Sequence, residues 1–284
     1  MITSLCKTFL EKIPMRSFDL TKGDLGNIAV FGGSFEYTGA PYFAAVSALE
    51  IGADLSYIFC PESAAVPIKS YSPDIIVIPI LENNLESCKR WLKKMNSVVF
   101  GPGLGRNPCD ENLIEILKEI KALEIPTIID ADGINFLLRN KKSITLSKNF
   151  VLTPNKLEFG RISEHLGLDG NDSVDNSIKL MSEFFDSATV IRKGQTDLIF
   201  TPELGSISQE NLRGSCKRCG GQGDIFDGIL AVYIYWAIKN NLKNPISSAS
   251  AAAVIKMRDS AANAYNKHGT SLTASKIIEF LHTS

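Results

Sequence analysis

The stretch Arg218-Cys-Gly-Gly-Gln-Gly-Asp-Ile-Phe-Asp-Gly228 (RCGGQGDIFDG) places three glycines and an acid directly ahead of a long apolar run. Gly220, Gly221 and Gly223 let successive backbone N–H groups converge. A helix opening near Gly223 adds its own unpaired N–H groups and the positive end of its dipole. Such a turn holds an anion without any side-chain cation. Asp224 falls in the first helical turn, where a carboxylate is favoured and expected to stay ionised at neutral pH. Two readings of it remain: a helix cap, a role in which Asp is common, or a general base beside an anion hole.

Working back from this stretch, short Val- and Ile-rich runs alternate with amphipathic segments. Strands are predicted at 27–31, 54–60, 74–78, 97–100, 126–130, 150–153, 189–192 and 198–201. Their runs are near-continuously apolar, as strands covered on both faces require. Helical spacing marks 44–51, 111–123 and 173–185, and three consecutive helices are predicted at 222–239, 247–265 and 273–282. The fold class is therefore α/β, a central mostly parallel β-sheet flanked by helices on both faces. With no linker or repeat in the sequence, residues 1–284 are expected to form a single domain. Charged and apolar residues mix in the opening segment as in a short helix.

Lys and Arg number 30, Asp and Glu 31, and the formal net charge is −1. No basic block offers a grip on nucleic acid or an anionic membrane. No apolar run approaches the roughly 20 residues needed to span a bilayer. The six scattered cysteines point to a reducing, cytoplasmic setting. Cys216-Lys-Arg-Cys219 has the spacing of half a zinc site, but no second pair lies at a suitable distance. With three histidines in the chain, hydrolase triads and His-rich metal sites are poorly supplied. The run Ile229–Trp236, ILAVYIYW, suits either a subunit interface or a helix packed on the sheet.

In open α/β sheets, ligands bind beyond the carboxyl ends of the strands. The junctions there are Gly32-Gly33-Ser34, Gly101-Pro-Gly-Leu-Gly-Arg106, Asp130-Ala-Asp-Gly-Ile-Asn135, Thr153-Pro-Asn-Lys-Leu-Glu158 and Lys193-Gly-Gln-Thr-Asp197. The glycines at 101, 103 and 105 do not match the dinucleotide-binding fingerprint, and no G-x-x-x-x-G-K-[ST] phosphate loop occurs.

Together these loops carry a resemblance. Gly-Gly-Gln-Gly-Asp224 contains the G-x-G-D element of the ribokinase-like superfamily, small-molecule kinases in which that Asp is the base and the glycine amides form an oxyanion hole. More narrowly, the chain resembles the ATP-dependent (S)-NAD(P)H-hydrate dehydratases, which repair hydrated NADH and NADPH. The matching stretches are 32–45, Gly52-Ala-Asp54, 101–106, 130–135, 152–158 with Arg161, 192–197, 214–224 and 268–275. The likeness runs from about residue 14 to the C-terminus.

The resemblance implies a ribokinase-like fold, ATP and Mg²⁺ as cofactors, and hydrated NADH or NADPH as substrate. Catalysis would rest on Asp224 with the amides of Gly221 and Gly223. Gly103, Gly105, Asn155, Lys156, Leu157, Glu158, Phe159, Gly160, Arg161 and Asp224 would contact the hydrated nucleotide. ATP would be held by Lys193, Gly194, Gln195, Thr196, Asp197, Gly214, Ser215, Cys216, Lys217, Arg218, Cys219, Gly220, Gly221, Gln222 and Gly223. Asn155 and Glu158 match an N-x-x-E element that organises Mg²⁺ indirectly, and 34–42 would help close the substrate site. Cys216 stands where the family often has proline, and Phe226-Asp227 replaces a more usual Leu-Ser pair. With no epimerase domain in the sequence, an NAD(P)H-hydrate epimerase would be a separate partner. The alternatives are an ordinary kinase of the superfamily, of the hydroxyethylthiazole- or pyridoxal-kinase type, and an inactive nucleotide-binding homologue.

Overall fold

A computed structural model describes residues 1–13, 19–81, 84–105, 110–168, 173–208 and 212–282. Arg106 of the 101–106 stretch, and Cys109, one of the six cysteines, lie outside the described residues. The strands are β1 (Asn27–Phe31), β2 (Leu55–Phe59), β3 (Ile76–Ile78), β4 (Ser97–Phe100), β5 (Thr127–Ile129), β6 (Phe150–Leu152), β7 (Thr189–Arg192), β8 (Leu198–Thr201) and β9 (Gly205–Ser208). They form one sheet in the order β3-β2-β1-β4-β5-β6-β7-β8-β9. All pairings from β3 to β7 are parallel, while β7–β8 and β8–β9 are antiparallel.

All eight predicted strands are present, trimmed by a residue or two where the chain turns. β9 went unrecognised because its sequence, Gly-Ser-Ile-Ser, places only Ile207 in the core. At a sheet edge the backbone pairing with β8 makes the strand, and periodicity leaves almost no mark.

The helices are α1 (Ile2–Leu10), α2 (Gly39–Ile51), α3 (Glu62–Lys69), α4 (Leu85–Leu92), α5 (Asp110–Ala122), α6 (Asp132–Asn140), α7 (Lys156–His165), α8 (Val174–Phe184), α9 (Gln222–Lys239), α10 (Pro245–His268) and α11 (Ala274–Ile278). Successive strand residues point to opposite faces, which explains the continuous apolar runs. Val30, Val99, Ile128 and Val151 join a core with α1, α2, α9 and α10. Phe31, Phe100, Ile129 and Leu152 join a second core with α4 to α8.

Within α9, Ile229, Leu230, Ala231, Val232, Tyr233, Ile234 and Trp236 are all buried. The run that suited either an interface or internal packing is therefore core. A helix apolar on every side needs cover on every side, and α2, α10 and the sheet supply it. Gly228 sets how closely α9 approaches α2, since a Cβ there would sit 2.2 Å from the Ala44 carbonyl oxygen. Trp236 Nε1 donates to the Leu25 carbonyl at 2.8 Å. Asp54 accepts from the Gly23 and Leu25 amides at 2.7 and 2.8 Å, so the Gly-Ala-Asp54 match serves the turn before β1. No helix among the described residues is long and apolar enough to cross a membrane.

Candidate active site

The carboxyl ends of β5, β6 and β7 face the start of α9 across a cavity of about 500 Å³. Its floor is a charged cluster. Lys193, just after β7, donates through Nζ to Asp130 Oδ1 at 2.7 Å. Asp130 follows β5 directly and is 3% exposed. The backbone turns sharply behind it: Ala131 has φ 51 and ψ −120, so Asp130 lines this cavity while Asp132 lines another. A non-glycine residue held in that region is strained, a feature that concentrates at functional sites.

Gly221 caps α9 with φ 90, and a Cβ there would lie 2.6 Å from Ala274 Cβ and 2.8 Å from a Phe43 ring carbon. A Cβ at Gly223 would lie 3.1 Å from Lys193 Nζ and 3.4 Å from Asp130 Oδ2. The glycine turn therefore lies directly on the Lys193–Asp130 pair. Gly220 differs from both: no atom within 4 Å would meet a Cβ there, so close packing does not require its glycine.

Asp224 lies in the first turn of α9, on the cavity wall. The helix dipole suggested an ionised carboxylate, but the structure corrects that expectation. Burial, then the charge on Asp130, push the group up to about 7, against the pull of Lys193. Desolvation and a like charge outweigh a helix terminus. The carboxyl is thereby poised near neutrality, where a general base is most effective. Burial opposes the charge on Asp130 too, yet the Lys193 charge and hydrogen bonding to Asp227 and Lys193 hold it below the usual carboxylate range. Lys193 resists its own burial because Asp130, Asp227 and Glu158 surround it, and it stays charged.

Asn155 and Glu158 open α7 with a capping box. Asn155 Oδ1 accepts from the Leu157 and Glu158 amides at 2.9 and 3.0 Å, and Glu158 Oε2 accepts from the Asn155 amide at 2.8 Å. Both also line the cavity. Burial and Asp130 push the Glu158 carboxyl up. Asp130, Glu158 and Asp224 thus gather around a single Lys193, a set of acids whose negative charge a divalent cation would relieve. Among the described residues no three His, Cys, Asp or Glu side chains converge to cage a metal. That donor set fits Mg²⁺ carried on phosphate oxygens, which keeps several waters and takes few protein ligands.

Other predicted site residues fall into groups. Gly194, Asp197, Gly214, Ser215, Arg218, Cys219 and Gln222 line the cavity, whereas Gln195, Thr196, Cys216, Lys217, Gly220 and Gly221 are not among its lining residues. Lys217 is turned away, its Nζ donating to the Thr270 carbonyl. Gly105 and Arg161 line a separate cavity of about 380 Å³ with Asp132, Asn135, Arg139 and His165. The Gly105 amide donates to Asp132 Oδ2 at 2.9 Å. Gly103 packs on Tyr37, which brings the loops after β1 and β4 together. Lys156, Leu157 and Gly160 are exposed, while Phe159 is core, its ring 5.3 Å beneath the Arg192 guanidinium.

Three residues in and beneath the cavity are not singled out by the sequence. Arg258 of α10 binds Asp197 Oδ2 at 2.7 Å and donates to the Gly194 and Gln195 carbonyls at 3.1 and 2.8 Å, bracing the 193–197 loop. It lies about sixty residues beyond that loop in a helix with no local motif. Asp130 was visible only as part of a loop. Asp227 had no assignable role.

Comparison with known proteins agrees with this geometry. The NAD(P)H-hydrate dehydratase family profile matches residues 28–283. An ATP-dependent (S)-NAD(P)H-hydrate dehydratase of Drosophila pseudoobscura pseudoobscura is 40% identical over 280 residues, 98% of this chain and 91% of that one. The chain belongs to the NAD(P)H-hydrate dehydratase family. Solved structures agree with the family's fold. A ribokinase-like superfamily protein from Enterococcus faecalis superposes with a TM-score of 0.77 at 21% identity, covering 98% of this chain and 92% of its own. The ADP/ATP-dependent NAD(P)H-hydrate dehydratase of Bacillus subtilis, co-crystallised with ATP and Mg²⁺, superposes with a TM-score of 0.72 at 18% identity, covering 96% and 93%. The ribokinase-like fold expected from the G-x-G-D element is thus the fold of the chain.

Proposed function

We propose that this chain, as one domain, uses ATP to dehydrate the S form of hydrated NADH or NADPH and so restores the dihydronicotinamide. The observation that carries this reading is the placement of Asp224, with its carboxyl raised to about 7, beside the Gly221–Gly223 turn and Lys193 in one cavity. Family membership supplies the substrate class.

Hydration leaves a hydroxyl on the ring carbon next to nitrogen, and hydroxide is a poor leaving group. Asp224 accepts the hydroxyl proton as the oxygen bonds to the γ-phosphorus of ATP and the bond to ADP breaks. The α9 amides at Gly221 and Gly223, with Lys193, stabilise the charge on the transferred group. Asn155 and Glu158 would hold Mg²⁺ indirectly, and the ion would supply further neutralisation of the phosphate oxygens. The ring nitrogen lone pair then expels phosphate, a proton leaves the adjacent carbon to water, and the double bond returns. The balance is hydrate plus ATP giving NAD(P)H, ADP and phosphate.

Gly194, Asp197, Gly214, Ser215, Arg218, Cys219 and Gln222 would line the nucleotide, with Arg258 bracing their loop. Asn155, Glu158 and Asp224 would meet the hydrated ring, and Gly103, Gly105 and Arg161 would meet the rest of the substrate. A separate epimerase would supply the S form. Free thiols at Cys6, Cys88, Cys216 and Cys219 support a reducing, cytoplasmic setting.

Incubating the protein with hydrated NADH and ATP is expected to restore the absorbance of NADH, with ADP and phosphate formed in equal amounts. A stable phosphorylated product without recovery would instead indicate an ordinary kinase. Because a base must be unprotonated, kcat/KM should climb through about pH 7 as Asp224 loses its proton. A flat profile between pH 6 and 8 would remove Asp224 from that role.

A further inference from the structure

Asp227 lies one turn beyond Asp224 on α9 and is fully buried. The Thr153 hydroxyl, just after β6, donates to its Oδ1 at 3.0 Å. Its Oδ2 is buried and receives no hydrogen bond from a donor among the described residues. The Asp130 carboxyl, whose Oδ2 lies 3.4 Å from a Cβ placed at Gly223 one turn before Asp227, stands within hydrogen-bonding reach of it. As an acceptor Oδ2 would be an orphaned buried charge, whereas as a hydroxyl donating to Asp130 it is satisfied. Two carboxyl groups in contact cannot both be ionised, and the proton belongs on the one without a cation. Asp130 has Lys193 at 2.7 Å, while Asp227 has only a threonine.

We propose that Asp227 is a neutral carboxylic acid that positions Lys193 for phosphoryl transfer, acting through a chain of hydrogen bonds from Thr153 to Asp227 to Asp130 to Lys193. The chain ties the ends of β5, β6 and β7 to the first two turns of α9. Its far end is the ammonium against Gly223, where the transferred phosphoryl group would lie. By donating to Asp130, Asp227 fixes the carboxylate's rotamer and leaves its other oxygen for Lys193. By staying neutral, it adds no charge to a cavity already holding Asp130, Glu158 and Asp224. Burial, then Asp130, raise its carboxyl well above the usual range, in keeping with that protonation. Asp227 is a positioning residue, since it reaches the reacting atoms only through Asp130 and Lys193.

This inference rests on the proposed ATP site around Lys193 and Gly223. Asp227→Asn keeps a neutral donor toward Asp130 and an acceptor for Thr153, whereas Asp227→Leu keeps the volume and removes both. Turnover of hydrated NADH with saturating ATP should be measured on both variants and normalised to the folded fraction read from thermal melts. Asp227→Asn is expected to stay within about threefold of wild type, and Asp227→Leu to lose kcat by at least about tenfold, the scale of a misplaced reacting-centre group. A purely structural residue would lower the melting temperature in Asp227→Leu and leave kcat per folded molecule unchanged, overturning the proposal. Equal losses in the two variants would also overturn it, because the neutral donor would then not be what matters. Failure of the wild-type chain to restore NADH would overturn the proposed function itself, and the inference with it.

Discussion

Asp224→Asn is expected to lose turnover by about 10²-fold or more while gaining stability. The loss follows from its place on α9, where it is the acid next to the glycine turn and the Lys193–Asp130 pair. An amide keeps the shape but accepts no proton. The gain follows from linkage. The folded carboxyl, at about 7, lies above its ordinary value of 3.8, so the folded state binds this proton more tightly than the unfolded chain does. Stability from this group is present at low pH and is lost as pH rises between those two values. Asn carries no such dependence. Melts should therefore coincide near pH 4, and the variant should melt higher at pH 8, while nucleotide binding persists. Retained turnover would take Asp224 out of the chemistry. A variant melting lower at pH 8 would contradict the raised carboxyl.

Gly228→Ala is expected to destabilise the fold on the order of 3 kcal/mol, the upper end for overpacking a core. In an ordinary helix interior the same change would stabilise by up to about 1 kcal/mol, since glycine is a poor helix former. Tertiary packing reverses the sign. The new methyl would meet the Ala44 carbonyl oxygen at 2.2 Å and Ser47 Cβ at 3.0 Å, and neither backbone can yield without separating α9 from α2. A fall in Tm of at least about 5 °C should follow. The shift would also move the start of α9, one turn away, so kcat should fall in the folded fraction. An unchanged or raised Tm would mean that the two helices can part freely.

Much of this molecule is legible in its residues. Runs such as Asn27–Phe31 and Ser97–Phe100 are apolar throughout because both faces of each strand are covered, and covered strands are parallel strands with helices on either side. The glycine turn before α9 was equally readable, since Gly221 needs a left-handed backbone and close contact with Phe43 and Ala274. The Asn155–Glu158 spacing was readable too, although it proves to build a capping box as well as face the cavity. β9 could not be read, because an edge strand with one buried side chain is made by its neighbour's hydrogen bonds.

Local pattern by itself determined the sheet, the glycine turn and the identity of the acid beside it, because each depends on neighbours within a few residues. The charge state of that acid was decided only in three dimensions. Asp224 looked ionised at a helix start and proves half-neutral near pH 7, because Asp130 from another strand end and the surrounding walls outweigh the dipole. Asp227 looked idle and proves to lie buried against Thr153, within reach of an acid almost one hundred residues earlier. Protonation sums interactions over every group within a few ångströms, and folding alone brings the ends of β5, β6, β7 and the start of α9 that close.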